Sequence, residues 1–327
     1  MFYFLSLISY ILYSFLVTSL FLTSLISSLS AGHFIVSFLK FIVIVFLFYE
    51  ILVEWRVYLY PKKYDLIDRK LTKNDFYIFL SVFLGTLFSY LLNHNFSLGA
   101  VVASSLIGLV GGLLLPKFAV PIYCGSFAGM VSSLLVAAIL PVMTIGLFAG
   151  LLFVIGSETF KGFGGKLGAT AYFATLLASI FFDTFSDTMT GGSIELQYDV
   201  FIVFIIGSLG TYFINSRYKI SGVVASSLLG ITFGLILPNI FDNGRSLAVA
   251  LFCGTFIGMS TATKLTTRVS VLIASIIGTI IFLYTTPYFA GLGGKLGLIA
   301  FGASIATAGI YNLKSHYSKR QSQKRTS

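Results

Sequence analysis

Two lysines stand where lysine is electrostatically out of place. Lys166 follows Gly164-Gly165, Lys295 follows Gly293-Gly294, and each leads into Leu-Gly and an apolar run. A Gly-Gly step lets the backbone turn tightly, and the run after it reads as a helix start. A helix N-terminus already carries partial positive charge, so an ammonium there costs a few tenths of a kcal/mol unless something negative approaches. Ammonium, helix dipole and exposed N–H groups together suit an anion. Gly164, Gly165, Gly293 and Gly294 would supply those N–H groups. The competing reading is structural: each Lys is an interfacial anchor that snorkels to lipid headgroups. If the glycine segments re-enter toward the membrane middle, the two lysines converge. If they stay at the surfaces, they lie about 30 Å apart and act as separate vestibules.

Three further groups bear on the chemistry. Residues 124–130 read CGSFAGM and residues 253–259 read CGTFIGM. Glycines four apart let helix backbones approach closely, which is the structural reading. The functional one has Ser126 and Thr255 presenting hydroxyls to a pathway, with Ser104-Ser105 and Ser226-Ser227 beside it. Such hydroxyls often only bond the preceding helical turn. Glu158 precedes the first GGK, whereas Pro287 takes its place before the second. An asymmetric acid beside a symmetric site is a candidate proton-coupling group, or a partner for Lys161 or Lys166. Lys40 and Glu50 lie in one apolar stretch, roughly 15 Å apart along a helix, and are expected to snorkel to the interfaces.

The chemistry that is missing narrows the classes. His33, His94 and His316 are scattered, and Cys124 and Cys253 form no metal or disulfide framework. There is no phosphate-binding Walker loop, no His-Glu-x-x-His pair and no Asp-rich diphosphate motif. The sequence therefore points to no enzyme, no cofactor and no metal.

The elements that place these residues repeat. Residues 101–116 (VVASSLIGLVGGLLLP) match residues 223–238 (VVASSLLGITFGLILP) at 11 of 16 positions, an offset of 122. The CGS/TFxGM and GGKLG blocks follow in the same order, both at an offset of 129. Collinear self-similarity of this kind marks an internal duplication. Pro116 and Pro238 are expected to end matching helices, since proline removes a helix donor.

The solvent for these elements is not water. Of 327 residues, 57% are hydrophobic and only 10% charged, where a soluble domain carries about a quarter charged. That excludes a soluble enzyme, a nucleic-acid-binding domain and a disordered chain. Twelve apolar stretches approach the roughly 17–25 residues a membrane helix needs: 3–28, 33–53, 76–93, 99–115, 119–140, 142–157, 167–183, 199–215, 221–237, 247–262, 269–286 and 295–312. The first has no basic leader and is too long for a signal peptide, so it reads as a retained helix.

The net charge of +10 then becomes an orientation marker. With the loop 61–75 in the cytoplasm and the spans alternating, eighteen of the 21 basic residues fall inside, the basic tail 313–327 among them. Only Arg245 and Lys295 fall outside, and Lys40 lies within a span. The loop 184–198, with Asp183 and Asp199 at its flanks, is acidic and external.

The expected fold is thus all-α, a polytopic membrane protein of about twelve transmembrane helices. An N-terminal hairpin (1–60) precedes a first five-span repeat (76–183) and a second, inverted one (199–312). In outline this is similar to five-plus-five inverted-repeat channels and transporters in general, and the length is compatible with urea-transporter-like channels. No residue role is carried over from them.

In such architectures the site lies where discontinuous helices of both repeats meet. The expected function is a transporter or channel for a small polar, anionic solute, multi-pass in the cell membrane with both termini cytoplasmic. Its partners are the bilayer and that solute, with a second copy or another membrane protein as a candidate, and not nucleic acid. The alternatives are a non-transporting subunit of an envelope or export complex and, behind it, a lipid-modifying membrane enzyme.

Overall fold

The computed structural model describes residues 2–60, 70–136, 138–182 and 198–326, with side chains to residue 317. Most of the basic loop 61–75 and nearly all of the acidic loop 184–198 lie outside the described residues. Twelve α-helices occur among the described residues, and no β-strand. The first half holds α1 (Phe2–Ser30), α2 (Phe34–Leu59), α3 (Lys73–His94), α4 (Ala100–Leu114), α5 (Ala119–Ala128), α6 (Ile139–Ile155) and α7 (Lys166–Ser179). The second half holds α8 (Tyr198–Tyr218), α9 (Gly222–Ile240), α10 (Gly244–Gly258), α11 (Arg268–Thr285) and α12 (Lys295–Thr326).

The helices carry large apolar side chains on the outside as well as in the core. Helix α1 buries Ser6, Ser9, Ser24, Ser27 and Ser28 and turns Phe4, Phe15 and Ile26 outward. Phe15 is 68% exposed and Ile35 of α2 is 81% exposed. Large exposed apolar patches mark surfaces that meet a membrane or another protein. Seven helices (α1, α2, α3, α8, α9, α11 and α12) are long and apolar enough to cross a membrane, which is compatible with a multi-pass membrane protein.

Of the remaining helices, α4, α5, α7 and α10 are shorter than the expected spans, while α6 starts earlier and is not. The expected span 119–140 is a ten-residue helix, α5, only about 15 Å long. It stops because Gly129 caps it and the chain is diverted: Ser132 N–H donates to the Gly291 carbonyl of the other repeat at 2.9 Å. The expected span 247–262 is α10, shifted toward the N-terminus and ending at Gly258, after which Thr261 N–H donates to Gly162 O at 2.9 Å. Pro238 does not end its helix, since α9 runs two residues beyond it to Ile240. Pro116 does lie past the end of α4.

The two copies pack alike. Helix α5 lies on α3 and α10 on α8, α7 follows α6 as α12 follows α11, and α4 crosses α9 as α7 crosses α12. The small residues of the CGS/TFxGM motif permit these contacts. A Cβ at Gly125 would overlap the Val82 carbonyl oxygen, and one at Gly254 the Phe204 carbonyl oxygen.

The N-terminal pair has no counterpart and binds both copies. Toward the first copy, Ser9 and Tyr58 share hydrogen bonds with Thr159 at 2.6 and 3.0 Å, and Tyr13 OH meets Thr170 at 2.7 Å. Toward the second, Glu54 of α2 pairs with Lys264. Lys40 and Glu50 do not snorkel as expected. Lys40 is 2% exposed, donates to Ser24 O at 2.7 Å and lies over the Tyr284 ring. Glu50 is 1% exposed and accepts from Asn312 at 2.7 Å. Internal partners outcompete the headgroups because both side chains start on the α2 face turned toward the bundle.

Candidate functional site

The GGK segments meet. Gly165 and Gly294 cap α7 and α12 in left-handed conformations, with φ of 83° and 84°. Such a φ is costly for any residue bearing a Cβ. A Cβ at Gly165 would also overlap the Gly297 carbonyl, and one at Gly294 the Gly168 carbonyl. Gly168 and Gly297 lie against each other's Cα atoms, so the first turns of the two helices cross in direct contact. Every contact here has a reciprocal at the repeat offset, the signature of a two-fold arrangement.

Each segment also abuts the end of a short helix from the other copy. Gly164 N–H donates to Ser260 Oγ at 3.0 Å, just beyond α10, so this N–H is already occupied. Gly293 lies against the carbonyls of Phe127 and Ala128 at the end of α5. The C-terminus of α5 therefore faces the start of α12, and that of α10 faces the start of α7. Cys124 Sγ donates to Leu167 O at 3.3 Å and Cys253 Sγ to Leu296 O at 3.1 Å, tying each short helix to its own GGK helix.

The lysines reach neither headgroups nor each other. Lys166 Nζ donates to Gly156 O at 2.6 Å and Ser157 O at 3.2 Å at the end of α6, where Gly156 O also accepts from Thr159 N–H. Lys295 Nζ donates to Thr285 O, Thr286 O and Tyr288 O at 2.6, 3.3 and 2.5 Å, at the end of α11. A helix C-terminus carries partial negative charge and four free carbonyls. Something negative does approach each ammonium, and it belongs to the protein. Lys295 spends all three donors in this way, and these contacts account for two of the three on Lys166.

Ser126 and Thr255 turn away from the GGK segments. Ser126 bonds Tyr123 O and Ser104 Oγ, both at 2.8 Å. Thr255 bonds Phe252 O at 2.6 Å and Ser226 Oγ at 2.7 Å. Both are fully buried against α4 and α9. Glu158 pairs with Lys161 at 3.3 Å, in a crevice of about 440 Å³ that also admits Glu54 and Lys264. Among the described residues no three His, Cys, Asp or Glu come together.

Two cavities flank the crossing. One, of about 370 Å³, is walled by Gly164, Gly165, Lys166 and Leu167, with Ser157 and Thr170 adding polar groups. The other, of about 260 Å³, is walled by Gly294, Lys295, Leu296 and Gly297, with Thr286. Most of the second lining is the first shifted by 129 residues: Val120 becomes Val249, Phe153 becomes Phe282, and Ser157 becomes Thr286. Phe127 and Phe256 alone line both. Their ring centroids are 4.6 Å apart, and the residues are 2% and 1% exposed.

The candidate residues of the sequence thus divide. Lys166, Lys295, Gly164, Gly165 and Gly294 reach the cavities or their shared wall; Gly293 backs that wall; Ser126, Thr255 and Glu158 line neither cavity. Phe127 and Phe256 are the residues that sequence reasoning missed. A signal for them existed, since they are the matched aromatics of the CGS/TFxGM motif, but an aromatic in an apolar run looks like any other core residue. The carbonyl partners of the lysines had no signal, because a backbone oxygen has no sequence signature. Compared with protein-family models, with curated proteins and with solved structures, the chain matches none.

Proposed function

We propose that this chain is a membrane transporter or channel for a small polar, anionic solute, and not an enzyme. In this reading two five-span repeats run in opposite directions through the cell membrane, both termini are cytoplasmic, and the first cavity opens inward and the second outward. The observation that carries it is the pair of cavities matched at the repeat offset, each ending at one GGK helix start and parted by one ring pair. Inverted repeats that place discontinuous helices around a midplane site characterise many transporters. Helix starts in a low-dielectric cavity favour a negative solute. Lys166 contacts it with its remaining donor, while Lys295 acts through its charge. Gly165 and Gly294 offer backbone N–H groups, and Gly164 and Gly293 hold the turns.

Nitrate uptake into proteoliposomes of the purified protein tests this, with glycerol as the neutral control. Nitrate uptake above that of empty vesicles, with glycerol at the empty-vesicle rate, is the expected result. The Lys166→Ala variant should lose about tenfold of the uptake, the value of one charge-assisted hydrogen bond. Unchanged uptake in a Lys166→Ala/Lys295→Ala double variant removes the site assignment.

One observation favours a second reading, a non-transporting assembly subunit: the contact between the cavities is a buried aromatic pair. That reading predicts no uptake of either probe.

A further inference from the structure

The wall between the cavities says more about the solute than the cavities do. Phe127 and Phe256 occupy matched positions of α5 and α10 and touch across the repeat interface. Tyr123 backs Phe127 at 4.3 Å and Phe252 backs Phe256 at 4.7 Å, again at matched positions. The buried hydroxyls of the same two helices, on Tyr123, Ser126 and Thr255, face the other way. Tyr123 OH meets Ser226 Oγ at 2.8 Å, and Ser126 and Thr255 bond toward α4 and α9. The rings therefore face the path and the polar groups do not.

A solute that crosses from one cavity to the other must part these rings and lose its water where no side chain replaces it. We infer that Phe127 and Phe256 are the selectivity constriction of the path, and that it passes small, monovalent, weakly hydrated anions and rejects strongly hydrated ones. This rests on the transport reading above. The physical ground is desolvation. Removing a polar or charged group from water without a compensating partner is expensive, and apolar constrictions gate by excluding water. The helix starts and the two ammonium groups set the sign of the solute, and the ring pair sets how tightly it can hold its shell.

The test compares thiocyanate, nitrate, chloride and sulfate in proteoliposomes of the full chain. The wild type should pass thiocyanate and nitrate at least about tenfold faster than sulfate, with chloride between them. In Phe127→Ala/Phe256→Ala that ratio should fall to about twofold, because water then accompanies the ion. Phe127→Leu and Phe256→Leu keep the apolar fill and should keep the order. They serve as the test if the alanine variant leaves the monodisperse peak on size exclusion, for there an altered order overturns the inference. Anion flux without this order, or with the order unchanged in the alanine variant, overturns the constriction and leaves transport standing. No flux of any anion, in wild type or variant, overturns the transport reading and this inference with it.

Discussion

An ammonium inside an apolar chain must be met by oxygen, and in this protein the oxygens are helix ends. Lys295, 9% exposed, spends its three donors on the carbonyls of Thr285, Thr286 and Tyr288. Replacing it takes a donor from three carbonyls, of which Thr285 O keeps the Tyr288 N–H, and removes a charge that complements the α11 dipole. We expect Lys295→Met to cost about 2–4 kcal/mol, from hydrogen bonds to a charged donor. It should lower the midpoint of thermal unfolding in detergent by more than Lys166→Met does, since Lys166 serves only two carbonyls. Equal midpoints for the two variants contradict the different commitments of the two side chains. At this scale the sequence is legible in part. The GGK pair and the demand for negative partners can be read from Lys166 and Lys295 themselves. That the partners are the chain's own carbonyls cannot, because those backbone oxygens lie seven to ten positions upstream and carry no sequence signature.

Helix length is decided by what meets the helix end. Helices α5 and α10 stop inside the molecule because Ser132 and Thr261 bond to the other copy's glycine loop rather than continuing the helix. The turns that make this possible need glycine twice over, for φ and for space, at Gly165 and Gly294. Alanine at either should cost about 2–4 kcal/mol, combining left-handed strain with overpacking, and Gly165→Ala and Gly294→Ala should be about equally harmful. A variant that leaves the unfolding midpoint unchanged contradicts the crossing of α7 and α12. The cap at Ser221, which accepts from Val224 N–H at 3.3 Å, is an ordinary one, and Ser221→Ala should cost only about 1 kcal/mol. Hydropathy read the existence of all twelve helices, with boundaries near 76–93 and 269–286 close to those observed. It misread 119–140, because apolar composition is the same in a spanning helix and in a short helix plus an apolar turn.

The whole molecule is organised around a reciprocal interface, with the N-terminal pair as an unmatched brace. The duplication was visible in VVASSL, CGS/TFxGM and GGKLG, and so was a composition compatible with a membrane protein. The cavities were not, since they arise from which faces of α5, α7, α10 and α12 are left unfilled. In the transport reading proposed above, the two cavities open to opposite sides of one membrane. Ser157 of the first and Thr286 of the second occupy matched positions, and the native Cys124 and Cys253 are fully buried and silent. The direct measurement is labelling of Ser157→Cys and Thr286→Cys by a membrane-impermeant thiol reagent in intact cells and in inverted vesicles. Thr286→Cys is expected to react in intact cells and Ser157→Cys in inverted vesicles. Labelling of both from the same side would contradict it.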